Sequence, residues 1–262
     1  MAELLIKNSP VGIIKAIIFD KDGTLSNSED QLIELAKTRI NFSENKFKKF
    51  KLNKLKLWLL KKLLAYVYGL KKNFLSANET LAIASREQNI ISTATIFTLF
   101  GFDWFKSLST SQEIFDEVDT FFSNKKDNRL NQRTLITGAL DLLVSLKKEG
   151  VRIALMTNDT QAGIEEFISQ NKLNGIFDNL WSCENKPSKP NPEAIIELCK
   201  KMNYDPTECA LISDADTDLK MAKEADIKVV IGFTGGWRKP PSLNEKKFII
   251  QKYDELKVQR NN

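Results

Sequence analysis

Downstream of Leu130 the chain alternates short, nearly continuous apolar runs with stretches in which apolar positions recur every three or four residues. Residues 151–157, 176–181, 210–213 and 227–231 have the pattern of strands buried on both faces. Residues 138–148, 161–171, 193–202 and 217–224 have the spacing of helices with one apolar face. This alternation predicts βαβ units and a parallel sheet covered by helices on both sides, an α/β fold. Residues 13–19 read as one more strand of that sheet, far upstream.

Between residues 26 and 133 no strand of this type is expected. Leu52, Leu55, Leu59, Leu63, Tyr66 and Leu70 recur at helical spacing. Asn78 is a candidate cap for a helix over 79–88, and 92–102 and 111–122 read as two more. The expected organisation is an α/β domain made of residues 1–25 and 134–262, interrupted by a helical module over 26–133. The tail beyond Trp237 contains Pro240-Pro241 and then a polar, helix-like stretch without a motif.

Composition narrows the chemistry. The chain has 262 residues and no histidine, which excludes a Ser-His-Asp triad, a Cys-His dyad, an imidazole zinc site and a histidine proton shuttle. Acid–base work at neutral pH is left to carboxylates, lysines, thiols or metal-bound water. Cys183, Cys199 and Cys209 form no CxxC pair, and Leu4-Leu5-Ile6 is too short for a signal-peptide core. With no apolar run of the ~20 residues that span a bilayer, a reduced cytoplasmic setting is expected. The charge is unevenly placed: residues 41–75 hold ten lysines against one acid, Glu44, and the remainder is slightly acidic.

Open parallel sheets bind ligands at the carboxyl ends of their strands, and four polar clusters fall at such positions. Residues 13–19 run into Asp20-Lys21-Asp22-Gly23-Thr24. There one carboxylate can attack or bind metal while the other transfers protons; a solvated Asp-Gly turn fits the same residues. Thr157-Asn158-Asp159 offers a hydroxyl and backbone N–H groups to a phosphate oxygen, or else an ordinary helix cap. The loop from Lys186 to Glu193 carries two lysines among prolines, either of which can act as a point charge for a phosphoryl group. Ser213-Asp214-Ala215-Asp216-Thr217-Asp218 places three acids where Mg²⁺ or a helix N-terminus would favour them. Four such signals at the strand ends of one sheet support one another.

In this order the motifs FDKDGTL, LMTND, KPNP and SDADTD resemble those of the haloacid dehalogenase superfamily of phosphotransferases, in particular its phosphoglycolate phosphatase-like hydrolases. The resemblance implies a Rossmann-like core and an inserted helical cap domain. It makes Asp20 the nucleophile that becomes an aspartyl-phosphate and Asp22 the acid–base residue, whose backbone carbonyl also binds Mg²⁺. Thr157, with the backbone of Asn158, would hold the phosphoryl group together with Lys189, for which Lys186 is the alternative. Asp20, Asp22 and Asp214 would form the metal site, supported by Asp218. Ser213 departs from the family's usual glycine but is small enough to let the backbone turn.

An acid at position 22 argues against dehalogenases and phosphonatases, which lack it. The absence of histidine argues against mutases resembling β-phosphoglucomutase. The implied function is a Mg²⁺-dependent phosphatase for a small phosphorylated metabolite, of the 2-phosphoglycolate or sugar phosphate class. The alternatives are a phosphomutase-like phosphotransferase, or a binding protein acting through the lysine-rich cap. The bland reading of those lysines is a solvated helix face. The sharper one is contact with an anionic ligand or surface, with no nucleic acid expected.

Overall fold

The computed structural model describes residues 1–124, 133–244 and 247–260. The end of the expected helical module, 125–132, lies outside them. The chain divides into two compact units, one of Met1–Ser28 with Arg133–Asn262 and the other of Glu29–Gln132.

Strands β1 (Ala2–Ile6) and β2 (Ser9–Ile14) form an antiparallel hairpin, and β3 (Ala16–Phe19) follows after a single residue. The run 13–19, expected as one strand, is thus two. Lys15 is where the chain changes sheets: its N–H donates to the Glu208 carbonyl at 2.8 Å and its ammonium pairs with the Glu208 carboxylate. A short strand β4 (Ser26–Asn27) then leads into the helical unit.

That unit contains α1 (Glu29–Lys49), α2 (Lys54–Val67), the single turn α3 (Thr80–Ile83), α4 (Arg86–Thr98) and α5 (Trp104–Asn124). α1 has no counterpart among the expected helices, because Thr38, Arg39 and Ser43 are buried on its inner face beside Ile33, Ile40 and Phe47 and dilute the apolar stripe. The helix expected over 79–88 is broken at Ala84. Ser85 starts a new helix with a capping box, accepting from the Gln88 N–H while Gln88 accepts from the Ser85 N–H. Asn53 caps α2, accepting from the Lys56 N–H at 2.9 Å. The unit's core is aromatic, with Phe47 packed against Phe97 and Phe102 at centroid distances of 4.7 and 4.9 Å.

The chain returns through β5 (Thr134–Leu135), which pairs with β4, into α6 (Ala139–Lys148), β6 (Arg152–Met156), α7 (Gln161–Gln170) and β7 (Asn179–Trp181). It continues through α8 (Pro192–Lys201), β8 (Cys209–Ser213), α9 (Asp216–Glu224) and β9 (Val229–Phe233) to β10 (Ile249–Ile250) and β11 (Leu256–Arg260). Six of these strands form one sheet, all paired in parallel, in the order β10-β9-β8-β3-β6-β7. Alternate residues face opposite layers. Ile17, Phe19 and Leu155 pack with Leu143 and Phe167 of α6 and α7, while Ile18, Met156 and Leu211 pack with Leu198 and Leu219 of α8 and α9. Each such side chain contributes about 1.5–3 kcal/mol on burial, so the continuous apolar runs are explained by two covered faces.

The tail corrects the expectation of a polar helix. β10 adds to the parallel sheet, Tyr253–Glu255 is one 3-10 turn, and β11 pairs with β1. Leu256, Lys257 and Val258 alternate between inside and outside with a period of two, which is strand patterning. Among the described residues no helix is long and apolar enough to cross a membrane.

Candidate active site

β3 is central in the sheet, and the chain leaves it first toward β6 and later toward β8 on its other side. Ligands of open α/β sheets bind where the strand order reverses in this way. Asp20 is the first residue past β3, held there by its N–H donating to the Ile212 carbonyl of β8 at 3.0 Å. Lys189, in the loop before α8, donates to Asp20 Oδ1 at 2.5 Å and to Asp218 Oδ2 at 2.6 Å. Ser213 Oγ donates to the same Asp218 oxygen at 2.9 Å. Burial alone would lower the Lys189 pKa, but the two carboxylates outweigh it and push it up. Asp20 is pushed well above the usual carboxylate range by burial, with Lys189 opposing and Asp218 and Asp214 adding to the rise.

Asp214, the residue after β8, is buried. Its Oδ1 accepts from Thr24 Oγ1 at 2.7 Å and its Oδ2 from the Trp237 indole N–H at 2.6 Å. Thr24 Oγ1 also accepts from the Asp214 N–H at 3.0 Å, and the Tyr253 hydroxyl donates to the Thr24 carbonyl at 2.7 Å. Burial raises the Asp214 pKa to about 6, against the pull of the Thr24 and Trp237 hydrogen bonds. Gly23 is needed at this point. Its φ is +78°, and a Cβ there would collide with the Trp237 indole and the Asp214 carboxylate.

Asp22 accepts from Ser28 Oγ at 2.5 Å and pairs with Lys21 at 2.9 Å. Lys21 is fully buried and also donates to Asp159 at 2.7 Å, and Arg133 donates to the same Asp159 oxygen. Burial works to raise the Asp22 and Asp159 carboxyls, but Lys21 and Arg133 prevail and hold both below their ordinary range.

The structure thus gathers Asp20, Lys189, Asp214 and Asp218 at one place. Thr157 is buried at the end of β6, its N–H bonded to the Trp181 carbonyl and its Oγ1 accepting from the Asp159 N–H at 3.1 Å. Asn158 follows it. Lys186 is exposed, its ammonium 3.4 Å from the Cys183 carbonyl, so of the two loop lysines it is Lys189 that meets Asp20. The sequence reading overlooked Lys21, Thr24, Ser28, Arg133, Trp237 and Tyr253. Lys21 and Thr24 stand inside the first motif, so a lysine between two aspartates was the available signal. Trp237 and Tyr253 lie in the tail, where no motif points to them.

No three His, Cys, Asp or Glu side chains form a ready-made metal cage among the described residues. The donor set nevertheless suits a hard divalent cation. Asp20, Asp214 and Asp218 repel one another, and Lys189 is their sole cationic contact among the described residues. Asp214 has only neutral hydrogen-bond donors, so the cluster retains unbalanced negative charge that carboxylate-seeking Mg²⁺ would neutralise.

Fold and site together define a doubly wound α/β protein with an aspartate–lysine centre at the strand ends. The chain belongs to the haloacid dehalogenase-like hydrolases, whose family model matches residues 14–226. It is 28% identical over 143 residues to a bifunctional riboflavin kinase/FMN phosphatase of Arabidopsis thaliana, covering 54% of this chain and 36% of that protein. It is 24% identical over 149 residues to a phosphoglycolate phosphatase of Haemophilus influenzae strain 86-028NP, covering 55% and 66%. The matched regions therefore span about one to two thirds of these curated relatives. A crystal structure described as a predicted phosphoglycolate phosphatase from Haemophilus somnus 129PT superposes with a TM-score of 0.62 at 18% identity, covering 92% of this chain and 96% of that one. A β-phosphoglucomutase from Clostridium difficile gives 0.59 at 16%, covering 93% of each chain. At these identities the structural likeness shows the fold.

Proposed function

We propose that the chain is a Mg²⁺-dependent phosphatase acting on a small phosphomonoester. The observation that carries this reading is the Asp20–Lys189–Asp218 chain beside buried Asp214. A carboxylate at a strand end is held next to one lysine, in a cluster short of positive charge. A phosphoryl dianion and a carboxylate repel each other, so attack requires cations at the same point.

In the proposed reaction a carboxylate oxygen of Asp20 attacks phosphorus as the ester P–O bond breaks. The leaving oxygen takes its proton from Asp22, giving an alcohol and an aspartyl-phosphate. Asp22, now ionised, accepts a proton from water, which attacks phosphorus and returns Asp20 and inorganic phosphate. Thr157 and the Asn158 backbone would orient the phosphoryl oxygens, and Lys189 would balance their charge. Asp20, Asp214 and the Asp22 carbonyl would hold Mg²⁺, which would supply positive charge to offset that of the phosphoryl group. With Lys21 and Ser28 bound to it, Asp22 is ionised and ready as a base. Its acid role requires it to take up a proton and give up the Lys21 contact.

The helical unit inserted after the first motif is read as the cap domain that selects substrate. Relatives named for 2-phosphoglycolate and for hexitol phosphates support a small, polar, singly phosphorylated substrate. The test is phosphate release from a panel of such esters with and without Mg²⁺, comparing the native chain with Asp20→Asn. Metal-dependent turnover lost in the variant supports the proposal. A folded native chain inactive on the whole panel overturns it.

A further inference from the structure

We propose that one end of the helical unit is a docking surface for anionic phospholipid bilayers. It is independent of the phosphatase reading. The C-terminus of α1, the start of α2 and the turn between α4 and α5 meet there. Phe50 packs on Phe102 at 5.0 Å, the Leu52 N–H donates to the Phe47 carbonyl, and Lys106 lies 5.4 Å over the Phe50 ring. Phe47, Phe97 and Phe102 close the core beneath. Large apolar side chains nevertheless remain outside it: Phe105 is 83% exposed, Leu55 72% and Leu99 67%, with Trp104 and Phe50 beside them. Single exposed apolar residues are ordinary, but several on one end of a small helical unit mark an interaction site.

Charge identifies the partner. Lys49, Lys51, Lys54 and Lys56 lie at the same end, from the last residue of α1 to the first turn of α2, all exposed and without a carboxylate partner among the described residues. The nearby acids are already engaged. Glu44 pairs with Lys48 and Lys61, and the Asp103 carboxylate accepts from the Lys106 N–H. From this end a groove of about 780 Å³ runs between α1 and α2, lined by Lys48, Lys54, Lys61 and Lys62 against the single acid Glu44, around Trp58. Its charge is that of a site for anions and its floor is apolar.

Aromatic and leucine side chains ringed by lysines are the composition of surfaces that sit at the headgroup–acyl boundary. Nucleic acid would satisfy the lysines but leave Leu55 and Leu99 in water, and residues 41–75 contain no arginine to grip phosphates in bidentate fashion. A second copy of the chain on the same patch would set lysine against lysine. An anionic bilayer satisfies both features at once.

The experiment is sedimentation of the full chain with vesicles of phosphatidylcholine alone, or of phosphatidylcholine with about one third phosphatidylglycerol. Quenching of tryptophan fluorescence by acyl-chain-brominated lipid, with Trp104→Phe as control, reports insertion. Binding is expected to the anionic vesicles only, with quenching reduced but not abolished in Trp104→Phe, because the exposed Trp58 remains in the adjoining groove. Leu99→Ser/Phe105→Ser should weaken it at least about ten-fold. Changing Lys49, Lys51, Lys54 and Lys56 together to Gln should weaken it at least about a hundred-fold, at roughly five-fold per lysine near the surface. All these positions are exposed, and matching thermal unfolding shows that the variants fold. Absence of binding to anionic vesicles at low salt overturns the proposal. So does binding that Leu99→Ser/Phe105→Ser leaves intact, or tighter binding to a short DNA duplex that the same change does not affect.

Discussion

Lysines serve opposite physical ends in the two units. In the α/β unit Lys21 and Lys189 are buried, and each is gripped by two carboxylates. In the helical unit Lys49, Lys51, Lys54 and Lys56 are exposed and face no acid among the described residues. A buried charge is tolerated only when paired, so the position of Lys189 is dictated by Asp20 and Asp218. An exposed charge is nearly free of such constraint, and its position reflects what lies outside the protein. Lys21 and Lys189 are therefore part of the fold, while Lys49, Lys51, Lys54 and Lys56 are available to a partner.

The contrast can be broken most decisively at Asp20. Asp20→Asn should reduce phosphate release by roughly 10³–10⁶-fold, the loss expected for the proposed nucleophile, measured as turnover under saturating Mg²⁺. Next, Lys189→Met leaves Asp20 and Asp218 buried without their cation and should cost about 3–5 kcal/mol in urea unfolding. Lys54→Met should stay within about 0.5 kcal/mol. Equal losses at the two positions would erase the distinction between the two kinds of lysine.

Asp159 gives the pH version of the same test. Lys21 and Arg133 hold its carboxyl below the ordinary value. Its contribution is therefore complete above the unfolded carboxylate's pKa of ~3.9 and is lost as pH falls toward its lower folded value. Asp159→Asn should be less stable at neutral pH and should lose less stability between about pH 4 and 2. A parallel downward shift at all pH values would show that the contribution is steric, not ionic.

How much of this the sequence disclosed follows from the same contrast. The parallel sheet was legible because its strands, buried on two faces, must be almost wholly apolar, as 152–156 and 209–213 are. Asp20 and Asp214 were legible as acids that directly follow buried strands, whereas Lys189 was separated from Lys186 only by the resemblance of KPNP to the family motif. Trp237 and Tyr253 were not, since they reach Asp214 and Thr24 from a segment that packs only through tertiary contacts. α1 was hidden because its inner face mixes polar with apolar residues, and β11 because lysine and glutamine on its outer face mimic a polar helix.

A small effect on turnover is expected at Ser213, where the chain departs from the glycine its family usually carries. Its hydroxyl donates to Asp218 Oδ2, the oxygen that also receives Lys189. Ser213→Gly removes one donor to a carboxylate that keeps its lysine, and it adds backbone freedom to the unfolded chain. Hydrogen bonds to charged groups contribute about 1.5–3 kcal/mol, but the retained Lys189 contact compensates in part. A net loss of about 1–2 kcal/mol in urea unfolding is expected, with turnover reduced less than about ten-fold. A large loss of turnover without loss of stability would mean that the serine orients Lys189 for catalysis. The buried lysine would then depend on a neutral donor as well as on its two carboxylates.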